Sequence, residues 1–348
     1  MICCIAMSDY LVTIIIPTLN EEKFISRCLD SVISQTYPFS DMNVLVIDGG
    51  SIDKTYEIVS SYREKYNNIR LINNPGRIQS IAFNIGVNNS DTPYIVRLDA
   101  HAVYNERYVE LCVKHLQANA DYGNVGGICI IKAKKNTLMA NTNMILNQSL
   151  FGIGGSKFRI GCEAACVDTV PFGAFRREVI EKVGGMREDM PRAEDNEINS
   201  RIHKYGYKVY LDPQIISSYY ARDTFWGSVK QMFNNGVSIG HLFYVDKSAI
   251  GLRHFIPFLF VVGVICGLFF SLFSKCILYL YLSILSLYLI LNLAASAYEC
   301  KAFGWKYMLS LPLLFVSVHI AYGVGTIVGL FKYNKVLVSV FTKQKIIV

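Results

Sequence analysis

Three long stretches without a charged side chain occupy the last third of the chain. They cover residues 255–274, 276–298 and 307–331, which is 20, 23 and 25 residues. A helix of about 20 apolar residues spans the roughly 30 Å of a bilayer's hydrocarbon core, whereas a helix buried in a large soluble core typically needs about 10–14. The chain is therefore predicted to end in a transmembrane region with about three hydrophobic helices.

The basic surplus of the chain also lies in this region. Of the net charge of +7, residues 255–348 contribute +6, through seven lysines and one acid, Glu299. Such a surplus suits the anionic headgroups of membrane lipids, and it leaves residues 1–254 without the basic patch that a nucleic-acid partner requires.

The C-terminal lysines leave the membrane topology open. These are Lys332, Lys335, Lys343 and Lys345. Three crossings would place them on the side opposite to residues 1–254, against the tendency of basic residues to stay inside. Either three segments cross the membrane against this tendency, or one segment is re-entrant and the C-terminal tail lies on the same side as residues 1–254.

The first hundred residues alternate short apolar runs with amphipathic stretches. Strands are predicted near 11–16, 44–47, 69–72 and 94–98, and helices near 22–35, 55–66 and 78–87. This alternation predicts an α/β fold with a mostly parallel sheet. The Gly-rich stretch 133–168 is expected to be irregular.

Three domains are predicted along the chain. Residues 1–223 form the α/β domain, 224–254 an interface segment and 255–348 the transmembrane region. The interface segment is aromatic and amphipathic, which is typical of a helix lying on a membrane surface; a plain core helix is the alternative.

Acidic side chains follow three of the predicted strands. Glu21 lies in PTLNEE (17–22), Asp48 in VIDGGSIDKT (46–55) and Asp99 in RLDAH (97–101), where His101 follows two residues later. Ligands of open α/β sheets bind at the carboxyl ends of strands, and a carboxylate and an imidazole on one side of an extended chain can hold a divalent metal. Taken singly, each acid can also be an ordinary turn or capping residue.

The chain resembles glycosyltransferase family 2, the inverting nucleotide-sugar transferases with the GT-A fold. The likeness covers roughly residues 11–245, and the RLDAH form together with the C-terminal helices is similar to the exopolysaccharide, succinoglycan-type branch. Its motifs are IIIPTLNEE (14–22), VIDGGSIDKT (46–55), NPGRIQSIAFNIGV (74–87), RLDAH (97–101), VPFGAFRREVIEKVGG (170–185) and AEDNEINSRI (193–202).

The resemblance implies roles for individual residues. The nucleotide-sugar site would comprise Pro17, Asn20, Glu21, Asp48, Arg77, Asn84 and Asp99. Asp99 and His101 would take the place of the family's metal motif, with Mn²⁺ or Mg²⁺ as the cofactor. His101 replaces the second acid of that motif, and imidazole suits Mn²⁺ better than Mg²⁺.

Catalysis is assigned by the same resemblance to Asp195 in AEDNE. It would act as the general base that takes the proton of the acceptor hydroxyl, with Glu194, Arg222 and Gln231 near the acceptor and diphosphate. The Gln-x-x-Arg-Trp signature of processive members is absent after Gln231, which favours transfer of a single sugar.

The resulting hypothesis is an integral membrane glycosyltransferase that moves a single sugar from a nucleotide-sugar donor, expected to be a UDP-sugar, to a lipid-linked saccharide acceptor for a surface polysaccharide. Ten cysteines are scattered along the chain without the spacing of a zinc site. A catalytic domain in the reducing cytosol is the simplest interpretation. Two alternatives remain, a polyprenyl-phosphate sugar synthase and a non-catalytic membrane scaffold.

Overall fold

The computed structural model describes residues 11–334. The chain divides into two compact units: the first comprises the residues up to Ile130 and Lys157–Tyr219, and the second comprises Ile131–Ser156 and the residues from Tyr220 onward. The domain boundaries drawn from sequence, at 223 and 254, stay predictions. The C-terminal Lys335, Lys343 and Lys345 lie outside the described residues.

The strands and helices are numbered along the chain. The strands are β1 Val12–Thr18, β2 Met42–Asp48, β3 Ile69–Asn73, β4 Tyr94–Arg97, β5 Ala102–Tyr104, β6 Tyr122–Lys132, β7 Ala165–Val167, β8 Ala174–Arg176 and β9 Lys208–Tyr220. The α-helices are α1 Ile25–Ile33, α2 Thr55–Lys65, α3 Gln79–Asn88, α4 Tyr108–Ala118, α5 Leu138–Gln148, α6 Leu150–Ile153, α7 Lys157–Ile160, α8 Arg177–Val183, α9 Glu194–Lys204, α10 Phe225–Val245, α11 Phe255–Ser271, α12 Lys275–Phe303 and α13 Ser310–Lys332.

The strands of the first unit form one mixed sheet. Its order is β3-β2-β1-β4-β8-β6-β9-β5, and β7 pairs with β9. The strands β3, β2, β1 and β4 are parallel, whereas β8 pairs antiparallel with β4 and β6. The predicted α/β fold is confirmed, with antiparallel strands added at one side.

The parallel strands are apolar because helices cover both faces of the sheet. All seven positions of β2 are buried, and α1 contributes Ile25, Cys28, Leu29 and Val32 to the core. The register pairs Thr18 with Asp48, so β1 and β2 end at the same edge. The loops with the candidate site residues start from that edge.

The second unit is helical in its described part. Three of its segments are long and apolar enough to cross a membrane: Leu252–Ser271, Lys275–Phe303 and Ser310–Lys332. The predicted interface segment contains the helix α10.

The expectation of an irregular stretch over 133–168 is wrong for α5. Thr137 begins that helix, since its Oγ1 accepts a hydrogen bond from the backbone N of Ala140 (3.3 Å). Ile145 and Leu146 are buried in the same cluster as Leu311 and other residues of α13. Contacts with residues distant in sequence stabilise this helix, and a local pattern could not reveal them.

Candidate active site

The loops that follow β1 and β2 are hydrogen-bonded to each other. Asn20 donates from its backbone N to Ser51 Oγ (2.8 Å) and accepts at Oδ1 from the backbone N of Ile52 (2.9 Å). Asp48 accepts from Ser51 Oγ (2.5 Å) and from the backbone N of Gly50 (3.1 Å). Asn20 has φ of 56°, a left-handed conformation that asparagine adopts more readily than other residues except glycine. The structure thus brings Asn20 and Asp48 together on one rim.

Glu21, Asp99 and His101 follow β1 and β4 at the same edge. His101 Nδ1 lies 3.2 Å from Glu21 Oε1, an arrangement that orients a metal-binding imidazole through its other nitrogen. Asp99 Oδ1 accepts from Gln79 Nε2 (2.5 Å) and from Arg97 Nη2 (3.1 Å). Those donors lie on Oδ1, so Oδ2 is the oxygen of Asp99 suited to a cation.

A metal at this place would depend on the substrate for further ligands. Within the described part of the chain, no group of three His, Cys, Asp or Glu side chains is placed to hold an ion. Asp99 and His101 offer one carboxylate oxygen and one imidazole nitrogen, a donor set that suits Mn²⁺. The residues present fit a divalent ion whose coordination is completed by diphosphate oxygens.

Arg97 binds three carboxylates at once. Its Nη1 lies 2.5 Å from Asp195 Oδ1 and 3.4 Å from Glu194 Oε1, and its Nη2 lies 3.1 Å from Asp99 Oδ1. The arginine side chain is only 4% exposed. Burial lowers the pKa of Arg97, but the three carboxylates raise it by more, so the guanidinium stays charged.

Sequence reasoning missed Arg97 and Gln79. Arg97 ends an apolar strand, YIVR, and a basic residue in a run predicted to be buried requires an acidic partner. That signal was present in the sequence. The sequence around Gln79 gave no signal, because its contact with Asp99 depends on how α3 packs on β1 and β2.

Glu194 and Asp195 begin helix α9. The pKa of Glu194 is raised to about 7, chiefly by burial and next by the charge of Asp195, while Arg97 opposes both. Burial also raises the pKa of Asp195, against the effect of Arg97. The Asp195 side chain is 30% exposed and that of Glu194 only 8%. Of the two carboxylates, that of Asp195 is the more exposed to solvent.

The remaining predicted residues of the first unit have mainly structural partners. Pro17 pairs with Ile47 in the parallel sheet, next to the end of β2. Arg77 adopts φ of 61° in the turn before α3. Asn84 donates from Nδ2 to the carbonyl of Met186 and accepts at Oδ1 from the backbone N of Met186, both at 2.8 Å. A role of these residues in donor binding stays a prediction.

Arg222 and Gln231 belong to the second unit. Arg222 follows β9 and is exposed, and Gln231 is half-buried in α10. Their predicted place near the acceptor and the diphosphate is not tested by the geometry of either unit.

Acidic side chains follow the parallel strands of the α/β sheet and two carboxylates begin α9, which is the arrangement predicted for a GT-A glycosyltransferase. Residues 13–184 match the family model described as "Glycosyl transferase family 2". These residues form a domain of this family, as the sequence motifs predicted, and the chain is a glycosyltransferase.

Two relatives are similar to this chain over most of its length. The chain is 28% identical over 330 residues to the dolichyl N-acetyl-alpha-D-glucosaminyl phosphate 3-beta-D-2,3-diacetamido-2,3-dideoxy-beta-D-glucuronosyltransferase of Methanococcus voltae, covering 93% of this chain and 98% of that protein. It is 29% identical over 250 residues to the succinoglycan biosynthesis protein ExoA of Rhizobium meliloti (strain 1021), covering 70% of this chain and 73% of that protein. The predicted succinoglycan-type resemblance is thereby confirmed.

A solved structure confirms the fold class. The mannosyltransferase PcManGT from Pyrobaculum calidifontis, in complex with GDP-Man and Mn²⁺, matches with a TM-score of 0.60 at 18% identity. The match covers 91% of this chain and 89% of that one. At this identity the likeness shows the GT-A fold alone.

Proposed function

We propose that this glycosyltransferase transfers one sugar, with inversion, from a nucleotide-sugar donor to a lipid-linked saccharide acceptor in the assembly of a surface polysaccharide. A UDP-sugar is the proposed donor. The observation that carries the proposal is the shared contact of Arg97, which holds Asp195 and Asp99 on one buried guanidinium. An acid suited to the donor side and an acid suited to the acceptor side are thereby fixed relative to each other.

Asp195 is the proposed general base. Inverting transfer needs the acceptor hydroxyl to attack the anomeric carbon opposite the diphosphate, and one carboxylate suffices to take the hydroxyl proton. Asp195 Oδ1 is bound by Arg97, so Oδ2 is the oxygen proposed to receive that proton. No general acid is required, because a nucleoside diphosphate leaves as an anion.

The donor is proposed to bind at the rim formed by Asn20 and Asp48. A carboxylate beside two glycines allows a nucleoside to approach the backbone closely. Asp99 and His101 would hold a divalent metal, which when bound supplies positive charge for the departing diphosphate. Glu21 would keep the His101 ring in the orientation that this binding needs.

Two observations support the proposed class of acceptor. The Methanococcus voltae relative, whose name specifies a dolichyl-phosphate-linked sugar acceptor, aligns over nearly the whole chain. The second unit carries helices that are long and apolar enough to cross a membrane, which would keep the enzyme where lipid-linked acceptors lie. The first unit is proposed to face the cytosol, where nucleotide sugars are made.

The test is transfer in isolated membranes with a panel of UDP- and GDP-sugars and lipid-linked saccharides. We expect the wild-type chain to transfer one sugar and Asp195→Asn to lose transfer while still binding donor. A phosphate acceptor needs little help from a base, so activity retained by Asp195→Asn on polyprenyl phosphate would establish the synthase alternative. Absence of transfer by the wild type with every pair would favour the scaffold.

A further inference from the structure

The three apolar helices of the second unit differ in how far protein covers them. Only 6% of the most apolar stretch of α11 is buried, and the same share of α12, whereas the buried share of α13 is 44%. Side chains such as Leu259, Leu268, Leu282 and Leu289 are exposed along α11 and α12. These two helices need lipid around them, while α13 already has a protein partner along one side.

Its most extensive partner is α10, which lies parallel to α13. The helix α13 also meets α11, where a Cβ at Gly323 would lie 2.3 Å from the carbonyl oxygen of Pro257, and α12, where Asn292 Nδ2 donates to the carbonyl of Pro312 (3.1 Å). Gly236 packs so closely that a Cβ there would lie 2.1 Å from the carbonyl oxygen of Tyr322. Further along both helices, Tyr244 Oη donates to the carbonyl of Leu330 (3.0 Å). The contact is lined by four glycines spaced four residues apart on each helix, Gly236, Gly240, Gly325 and Gly329, and such spacing lets helix backbones approach closely.

Polar residues of α10 lie beside the middle of α13. Phe233 contacts Gly325, and the residues around Phe233 include Lys230, Gln231, Asn234 and Asn235. If α13 crossed a bilayer with α10 alongside it, these four side chains would enter the hydrocarbon core. A charge there is costly, and Lys230 is exposed rather than enclosed by protein. In contrast, residues 276–298 of α12 contain no charged side chain.

The exposed apolar side chains of α13 form a single stripe. They are Leu313, Ile320, Val324, Val328 and Phe331. Their spacing of three, four or seven residues places them on one face of the helix. A helix with one exposed apolar face and a protein-covered opposite face suits the boundary between headgroups and acyl chains.

The basic residues between the helices favour two crossings. Basic residues concentrate at one end of the α11–α12 hairpin. Lys247 and Arg253 precede α11, Lys301 and Lys306 lie near the junction of α12 with α13, and Lys332 ends α13, whereas the opposite end of the hairpin has Lys275, the first residue of α12. Three crossings would move Lys332 to the other side. Four crossings, with α10 included, would move Lys247, Arg253, Lys301 and Lys306, which opposes the positive-inside tendency most strongly.

We propose that the lipid bilayer surrounds only the α11–α12 hairpin, which crosses it twice. The helix α13 stays with α10 at the surface of the bilayer, on the side of the first unit, with its apolar stripe in contact with lipid. Lys332, the last residue of α13, then lies on the same side as the first unit. The extent of Leu252–Ser271, 20 residues, gives about 30 Å at 1.5 Å per residue, enough for the first crossing.

The test places one short epitope in the full chain, at four positions in four separate variants. The insertions follow Ser248, Phe273, Gly304 and the C-terminal residue. Protease access to each epitope is measured in sealed membrane vesicles of both orientations, with an N-terminal epitope as the reference for the side of the first unit.

We expect the epitopes after Ser248, after Gly304 and at the C terminus on the reference side, and only the epitope after Phe273 on the opposite side. A C-terminal epitope on the opposite side would establish three crossings and overturn the proposal. Epitopes after Ser248 and Gly304 on the opposite side would establish four crossings and equally overturn it. The C-terminal epitope interrupts no helix of the described residues, so it distinguishes two crossings from three even where an internal insertion prevents folding.

Discussion

Arg97 Nη1 lies 2.5 Å from Asp195 Oδ1, although the two residues stand 98 positions apart in the chain. The contact joins the end of strand β4 to the first turn of helix α9. Charge-assisted hydrogen bonds of this kind are strong and directional. The position of the proposed base is therefore set by the same strand that leads to Asp99.

Replacing Asp195 by Asn should remove the proton acceptor while keeping the shape of the side chain. General-base catalysis contributes about 10²–10⁴-fold, so kcat should fall by that factor with little change in the KM for the donor. Steady-state transfer kinetics in detergent check this. The matched control is Glu194→Gln, which removes the neighbouring buried carboxylate and should lose much less activity; equal losses in the two variants would contradict the assignment.

Arg97→Lys should keep the positive charge but lose the forked geometry that holds three carboxylates. We expect a lower kcat with a smaller effect on folding. Arg97→Gln leaves those carboxylates without their counter-charge, and breaking a buried pair costs about 3–5 kcal/mol. Thermal unfolding should separate the two variants. If Arg97→Gln were as stable and as active as the wild type, Arg97 would have no positioning role.

The acidic side of the pH profile should shift because of Glu194 and Asp195. Both pKa values are raised, chiefly by burial, and the base must be charged to act. Activity should therefore fall as the pH decreases, starting at a higher pH than an exposed aspartate would give. A profile of kcat against pH measures this directly.

Stability should show the opposite dependence on pH. The folded-state pKa of Glu194, about 7, exceeds its ordinary value of 4.5, so the folded protein binds more protons between these values. Stability should then decrease as the pH rises from 4.5 to 7, by at most about 1.4 kcal/mol per pH unit for one such group. Melting temperatures of the wild type and Glu194→Gln at several pH values test this, and the variant should lose part of the slope.

His101→Asp should change the metal preference. It replaces the imidazole by the oxygen ligand that Mg²⁺ prefers, so activity with Mg²⁺ relative to Mn²⁺ should rise. Transfer rates across a titration of each metal provide the measurement. His101→Ala serves as the control, since it should weaken activation by both metals; an unchanged Mg²⁺/Mn²⁺ ratio in His101→Asp would argue against direct ligation.

The parallel half of the fold could be predicted because its signals are local. The strand ends that carry Glu21, Asp48 and Asp99 follow from apolar runs interrupted by polar residues, and β1, β2 and β4 were found where these runs occur. The family motifs then pointed to Asp195, although nothing local distinguishes it from an acid in the first turn of any helix.

Features that depend on distant contacts could not be predicted. The helix α5 is stabilised by packing on α13, which follows it by more than 160 residues. The role of Gln79 depends on its approach to Asp99. The sequence also gave no basis for distinguishing the three apolar stretches, because length and hydropathy do not reveal which of them is covered by other helices.

The glycine-lined contact of α10 and α13 has a consequence for building chimeric enzymes. The backbones approach so closely at Gly236 and Gly329 that a methyl group on either would overlap the opposite helix. Exchanging α13 alone between two such enzymes would therefore pair it with an α10 whose surface does not match. A graft intended to alter acceptor range should transplant both helices as one cassette.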